Sequence, residues 1–97
     1  MDLTGKICMV RTENAGVFLG EVVSRKKKEV HLKNARRMWY WSGAASLSQL
    51  ATTGTSKPKE CKFPVAVADL ILTDAIEFIP ATEAALASIA TVKVWEM

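Results

Sequence analysis

The chain has 97 residues, 49% of them hydrophobic and 24% charged, which is enough for one small core and too little for two. That balance excludes a disordered chain. The longest uncharged stretch, Met38 to Ser56, holds four Ser, three Thr, Gln49 and two Gly, so it cannot cross a bilayer as a helix and no membrane partner is expected.

Residues 1–97 read as a single domain. Gly5 to Arg11 predicts a first strand, with Ile7 and Met9 alternating against Cys8 and Val10. Asn14-Ala15-Gly16 is the turn, because Asn and Gly accept positive φ. Val17 to Arg25 predicts the second strand, in which Gly20 marks a bulge or a close backbone approach. After Lys26-Lys27-Lys28 a third strand runs from Glu29 to Trp41. Thirteen residues is long for a strand, which predicts a bend near Asn34-Ala35-Arg36, as where a small sheet coils into a barrel.

The period then changes. Leu47, Leu50 and Ala51 fall at i, i+3, i+4, with Ser46 and Gln49 spaced as a capping box and Gly54 as the stop, predicting a helix over residues 45–53. Phe63 to Val67 and Leu70 to Pro80 read as strands interrupted at Asp69 and at Thr73-Asp74. Thr82 caps a second helix whose Leu86, Ile89 and Ala90 share a face, and Val92 to Trp95 reads as a last short strand. The expected fold is α+β: a small, strongly bent antiparallel sheet or partly open barrel with two short helices.

Charge is divided along the chain. Residues 1–62 carry 12 Lys and Arg against 5 Asp and Glu, a net +7, while residues 63–97 carry 1 against 5, a net −4. Such division suits either a basic surface that meets an anion or charges scattered over one domain. The start of the sequence shows neither a basic segment nor an apolar signal region, so a cytoplasmic location is expected and Cys8 and Cys61 read as reduced, buried thiols.

Catalysis is the weakest class. His31 is the only histidine, Cys8 and Cys61 stand at unrelated spacings, and no nucleophile has a recognisable base, so neither an enzyme nor a metal or other cofactor is expected. The informative segment is Asn34 to Gln49. If extended through Trp41, it places Arg37, Trp39 and Trp41 on one face, where indoles stack on a base and a guanidinium meets a phosphate. Ser42, Gly43 and Ser46 then lead into a helix start whose N–H groups favour an anion, with Gln49 and Arg36 as further candidates. The alternative is that the aromatic residues are simply core, as large rings in small barrels often are. Lys26 to Lys28 suit either phosphate contact or a solvated hairpin tip. Trp95 either closes the core or packs into a second subunit.

Lys6-Ile7-Cys8-Met9-Val10-Arg11-Thr12, Asn34-Ala35-Arg36-Arg37 with Trp39-Tyr40-Trp41, and Gly43-Ala44 with Ser46-Leu47 and Gln49-Leu50-Ala51 resemble a family of small proteins of tailed bacteriophages and prophages. The resemblance implies a viral origin and transfers no catalytic or binding residues. Small phage proteins of this size include oligomeric scavengers of the nucleotide signals used in bacterial antiviral defence, an analogy that suits the segment above. The expectation is therefore a non-enzymatic, homo-oligomeric protein that binds a phosphorylated nucleotide-type ligand between subunits. The alternatives are a small barrel that binds nucleic acid through its basic half, and a structural or host-protein interaction module.

Overall fold

A computed structural model describes residues 1–97. The chain forms a five-stranded antiparallel sheet that does not close, together with two helices, an α+β fold. In chain order the elements are β1 (Ile7–Thr12), β2 (Val17–Lys26), β3 (Glu29–Arg37), α1 (Leu47–Thr53), a 3-10 turn (Pro58–Glu60), β4 (Val67–Leu72), β5 (Ala75–Pro80) and α2 (Glu83–Ala90). The spatial order is β4-β3-β2-β1-β5.

That order contains a constraint. β4 and β5 are the two outer strands, yet only Thr73 and Asp74 separate them in sequence. Three Cα steps from Leu72 to Ala75 span at most about 11 Å, whereas four strand spacings of a flat sheet need about 19 Å. The sheet must therefore curl until its edges meet at this corner. Ala75 N donates to the Lys28 carbonyl (3.0 Å), and Asn14 N and Glu13 N donate to the side chain and carbonyl of Asp74 (2.9 and 3.1 Å), which ties the corner to both hairpin turns.

The curl is made in β2 and β3. Asn34 has φ +51°, and the β2–β3 register shifts between Leu19 and Glu21, opposite that residue. A Cβ on Gly20 would lie 3.2 Å from both Ala35 Cα and Leu32 Cβ, so glycine lets the bent strands approach. The predicted bend and close approach are both present. Inside the curl lie Cys8, Val10, Phe18, Val22, Val30, Leu32 and Leu72. On the outer face Met9, Leu19, Met38 and Phe63 pack with Leu50 and Ala51 of α1 and Ile89 of α2. β1 is covered on both faces from Cys8 to Val10, which accounts for three consecutive buried apolar residues there.

Several boundaries differ from those read in the sequence. β3 ends at Arg37, not Trp41, because its partners run out: Met38 N makes the last bond, to the carbonyl of Val17 at the start of β2, and β4 begins opposite Ala35. Phe63 to Val67 does not form a strand of its own, and only Val67 is paired in the sheet, as the first residue of β4; Pro64 has no N–H to pair, and Phe63 makes one bridge, to Val94, which is also all the pairing that Val92 to Trp95 achieves. Asp69 does not interrupt β4. It lies in register with Lys33 and accepts a hydrogen bond from His31 Nε2 (2.8 Å). The first helix begins at Leu47 after the Ser46 cap, and Thr82 caps the second, its Oγ1 accepting from Ala85 N (3.0 Å). No helix is long and apolar enough to cross a membrane.

Two consequences can be measured. Gly54 ends α1 with φ +79° and ψ −147°, and a Cβ there would sit 2.3 Å from Ser88 Cβ of α2. Gly5 has a similar φ of +82° but open space around it. Denaturant unfolding should show Gly54→Ala costing at least about 3 kcal/mol, from glycine-only backbone plus overpacking, and Gly5→Ala only about 1. Burial pushes the Cys8 thiol above its ordinary range, with Lys6 pulling weakly the other way. Above about pH 8.5 the unfolded thiol ionises first, so the unfolded state holds fewer protons and stability falls as pH rises. Cys8→Ala should reduce that alkaline slope in unfolding curves measured between about pH 7.5 and 10.

Candidate functional site

Beyond Arg37 the chain leaves the sheet, and Tyr40 pairs instead with Lys62, its N–H donating to the Lys62 carbonyl (3.2 Å) and its carbonyl accepting from Lys62 N (2.8 Å). Trp95 N donates to the Phe63 carbonyl (3.0 Å). These bonds bring residues 39–40, 62–63 and 94–95 side by side. Trp39 and Trp95 stack, with ring centroids 4.8 Å apart and planes inclined at 23°. Trp39 is 56% exposed and Trp95 41%, so both indoles are open to solvent. Lys62 Nζ lies 5.6 Å from the Trp39 ring, 5.7 Å from Trp95 and 5.9 Å from Tyr40. Nearly equidistant from both indoles, the ammonium sits beside the stack. An exposed aromatic platform flanked by a cation can take a planar ring on its outer face and a negative charge at its side.

Arg37 points elsewhere. Its guanidinium lies over the Phe18 ring at 4.3 Å and Nη1 donates to the Ala15 carbonyl, placing it at the mouth of the barrel's interior. Trp41 is half-buried and packs with the outer core cluster around Met38 and Phe63. The expected single face of Arg37, Trp39 and Trp41 therefore does not form: once β3 ends at Arg37, period-two alternation no longer applies. Arg36 is a brace. Its Nε donates to the Pro64 carbonyl (3.1 Å), Nη2 to those of Phe63 (3.1 Å) and Val92 (2.8 Å), and Nη1 to that of Ile89 (3.4 Å), while the guanidinium lies 5.4 Å from the Phe63 ring. It joins β3 to the C-terminal end of α2, where carbonyls converge and favour a cation. Burial without a carboxylate lowers its pKa from the ordinary arginine value.

The stretch from Ser42 to Gln49 is occupied with its own folding. The Ser42 carbonyl accepts from Thr55 Oγ1 and Cys61 Sγ (2.5 and 3.5 Å), and the Gly43 carbonyl from Ser56 N (3.1 Å). Gly43 has φ +81°, and a Cβ there would fall 2.5 Å from Lys57 N. Thr55 is held in turn by Ser88 of α2, whose Oγ accepts from Thr55 N and donates to Thr55 O (2.9 and 3.1 Å). Ser46 Oγ accepts from Gln49 N (3.1 Å), and Gln49 Oε1 accepts from Ala45 N (2.8 Å). This is the predicted capping pair, reaching one residue further upstream than usual, and both side chains are committed to it.

Of the residues that the sequence proposed for ligand binding, the structure thus brings only Trp39 to the platform. The three others there, Tyr40, Lys62 and Trp95, come together through pairings between segments more than twenty residues apart, a contact with no local spacing to reveal it. Trp95 stands out in the sequence as a large ring near the chain end, to be placed in the core or against a second subunit, and the structure stacks it on Trp39 instead; Lys62 carried no signal beyond its charge.

No curated protein and no solved structure matches the chain. A family described as a domain of unknown function (DUF6948) matches residues 5–89, from the first strand to the last turn of α2, and the chain belongs to that family.

Proposed function

We propose that this is a non-enzymatic protein of phage origin that binds and sequesters a phosphorylated nucleotide-type ligand in the host cytoplasm. The observation that carries the reading is the exposed Trp39–Trp95 stack with the Lys62 ammonium beside it. The base would stack on an outer indole face, and the phosphate would meet Lys62. Stacking of this kind is worth about 1–3 kcal/mol per base. Homo-oligomerisation would deepen a platform that one subunit leaves shallow. The free edges of β4 and β5, with Val67 and Ile71 of β4 exposed, suit contact with another copy.

A second reading is binding to single-stranded nucleic acid. It is favoured by the openness of the platform: neither indole lines any of the molecule's clefts, so a strand could lie across it. The basic residues of the first 62 positions would then follow the phosphates.

Calorimetric titration with cyclic and linear nucleotides tests the first reading. A nucleotide should bind more tightly than about millimolar, roughly −4 kcal/mol, and Trp39→Ala should weaken it at least about tenfold with little change in stability. Absence of any binding at that level overturns the proposal. If oligonucleotides bind instead, with affinity falling by about 0.7 log units per phosphate for each log unit of salt, the second reading replaces it.

A further inference from the structure

The mouth of the barrel is a cleft of about 240 Å³ whose lining includes Phe18, Arg37, Pro64, Val65, Val67 and Leu70. It opens where β3 and β4 part company, since Ala35 and Val67 are the last residues paired between them and Arg36 and Arg37 continue paired with β2 only. Its walls are apolar, no acidic side chain lines it, and Arg37 is its one charge.

That charge is uncompensated and fixed in place. The four ion pairs of the structure join Arg11 to Glu77, Lys28 to Glu13, His31 to Asp69 and Lys33 to Glu21, so Arg37 has no carboxylate partner. A guanidinium offers five N–H donors. Here one is used, on the Ala15 carbonyl, while the Phe18 ring supports one face of the plane at 4.3 Å. Both contacts orient the group without covering the rest of its fork, so an anion arriving at the mouth meets preorganised donors. The groove of about 220 Å³ between α2 and the β2–β3 bend differs in both respects: it is rimmed by Glu21, and its Arg36 is already spent on backbone carbonyls.

We propose that the barrel mouth binds a small molecule with an anionic head and a short hydrocarbon tail, the head on Arg37 and the tail between Phe18, Val67 and Leu70. The volume lies below the range of about 300–1,000 Å³ usual for drug-sized ligands, which selects a short tail. A carboxylate and a phosphate monoester share the required chemistry. The site is independent of the indole platform, and a ligand here need not be a nucleotide.

Titration of the full chain with octanoate, octyl phosphate, 1-octanol and acetate, followed by calorimetry and backbone amide shifts, tests this. At least one of octanoate and octyl phosphate should bind, shifting Phe18, Val65 and Leu70 amides, and the tighter of the two assigns the head group. Octanol, lacking charge, and acetate, lacking a tail, should each bind at least about tenfold more weakly. Arg37→Gln should bring the anionic probe down to the level of octanol. Val65→Glu, at a position 63% exposed and so without consequence for folding, should also weaken it at least about tenfold, by placing a negative charge at the rim. This variant decides the matter if Arg37→Gln does not fold. Trp39→Ala should leave octanoate binding unchanged, so that loss of nucleotide binding and loss of this site are distinguishable. Anionic probes that bind no better than octanol, or that bind Val65→Glu as well as the parent, would overturn the proposal.

Discussion

Thr73 and Asp74 join strands that lie at opposite edges of the sheet, and the rest of the architecture follows from how little chain they provide. A flat sheet with this strand order could not be connected. Curling it gives an inner face small enough to be filled by residues such as Phe18, Leu32 and Leu72, and an outer face that two short helices can cover. The positive φ of Asn34 and the missing Cβ of Gly20 are local accommodations to that global requirement. Away from the corner β4 and β5 stay unpaired with each other, so the curl stops short of a closed barrel, and the mouth opens where β3 and β4 part.

The outer layer is held by a different device. Arg36 gathers carbonyls from Phe63, Pro64, Ile89 and Val92, so one side chain of β3 fastens both the segment before β4 and the end of α2. Ser88 and Thr55 fasten α2 to the loop that carries Ser42 and Gly43. Residues with the chemistry to meet a phosphate are here consumed by the fold, which moves attention to the groups left uncommitted, Lys62 beside the indoles and Arg37 at the mouth.

Much of the fold was legible because its signals are local. The turn at Gly16, the bend at Asn34, the caps at Ser46 and Thr82 and the stop at Gly54 each depend on a few neighbouring residues. The end of β3 was not legible, because it is set by where β2 begins and β4 starts, both distant in sequence. From that one misplacement came the supposed common face of Arg37, Trp39 and Trp41. Composition marked the aromatic segment as unusual, but whether a guanidinium there is free depends on carbonyls that α2 and the Phe63 segment deliver. For Arg36 they arrive; Arg37 receives none of them and donates only to the Ala15 carbonyl of the β1–β2 turn.

The pairing of β1 with β5 joins Met9 to Ile79 and Val10 to Phe78, seventy and sixty-eight positions apart along the chain. Hairpins β1–β2 and β2–β3 can form early, but the first strand keeps one side uncovered until the fifth is available. Contacts of such long sequence separation are slow to form, because the intervening loop must lose its freedom before the pairing rewards it. During synthesis the nascent chain therefore presents an unsatisfied β1 edge to its surroundings until nearly all of the domain has left the ribosome, the interval in which a chaperone would matter most.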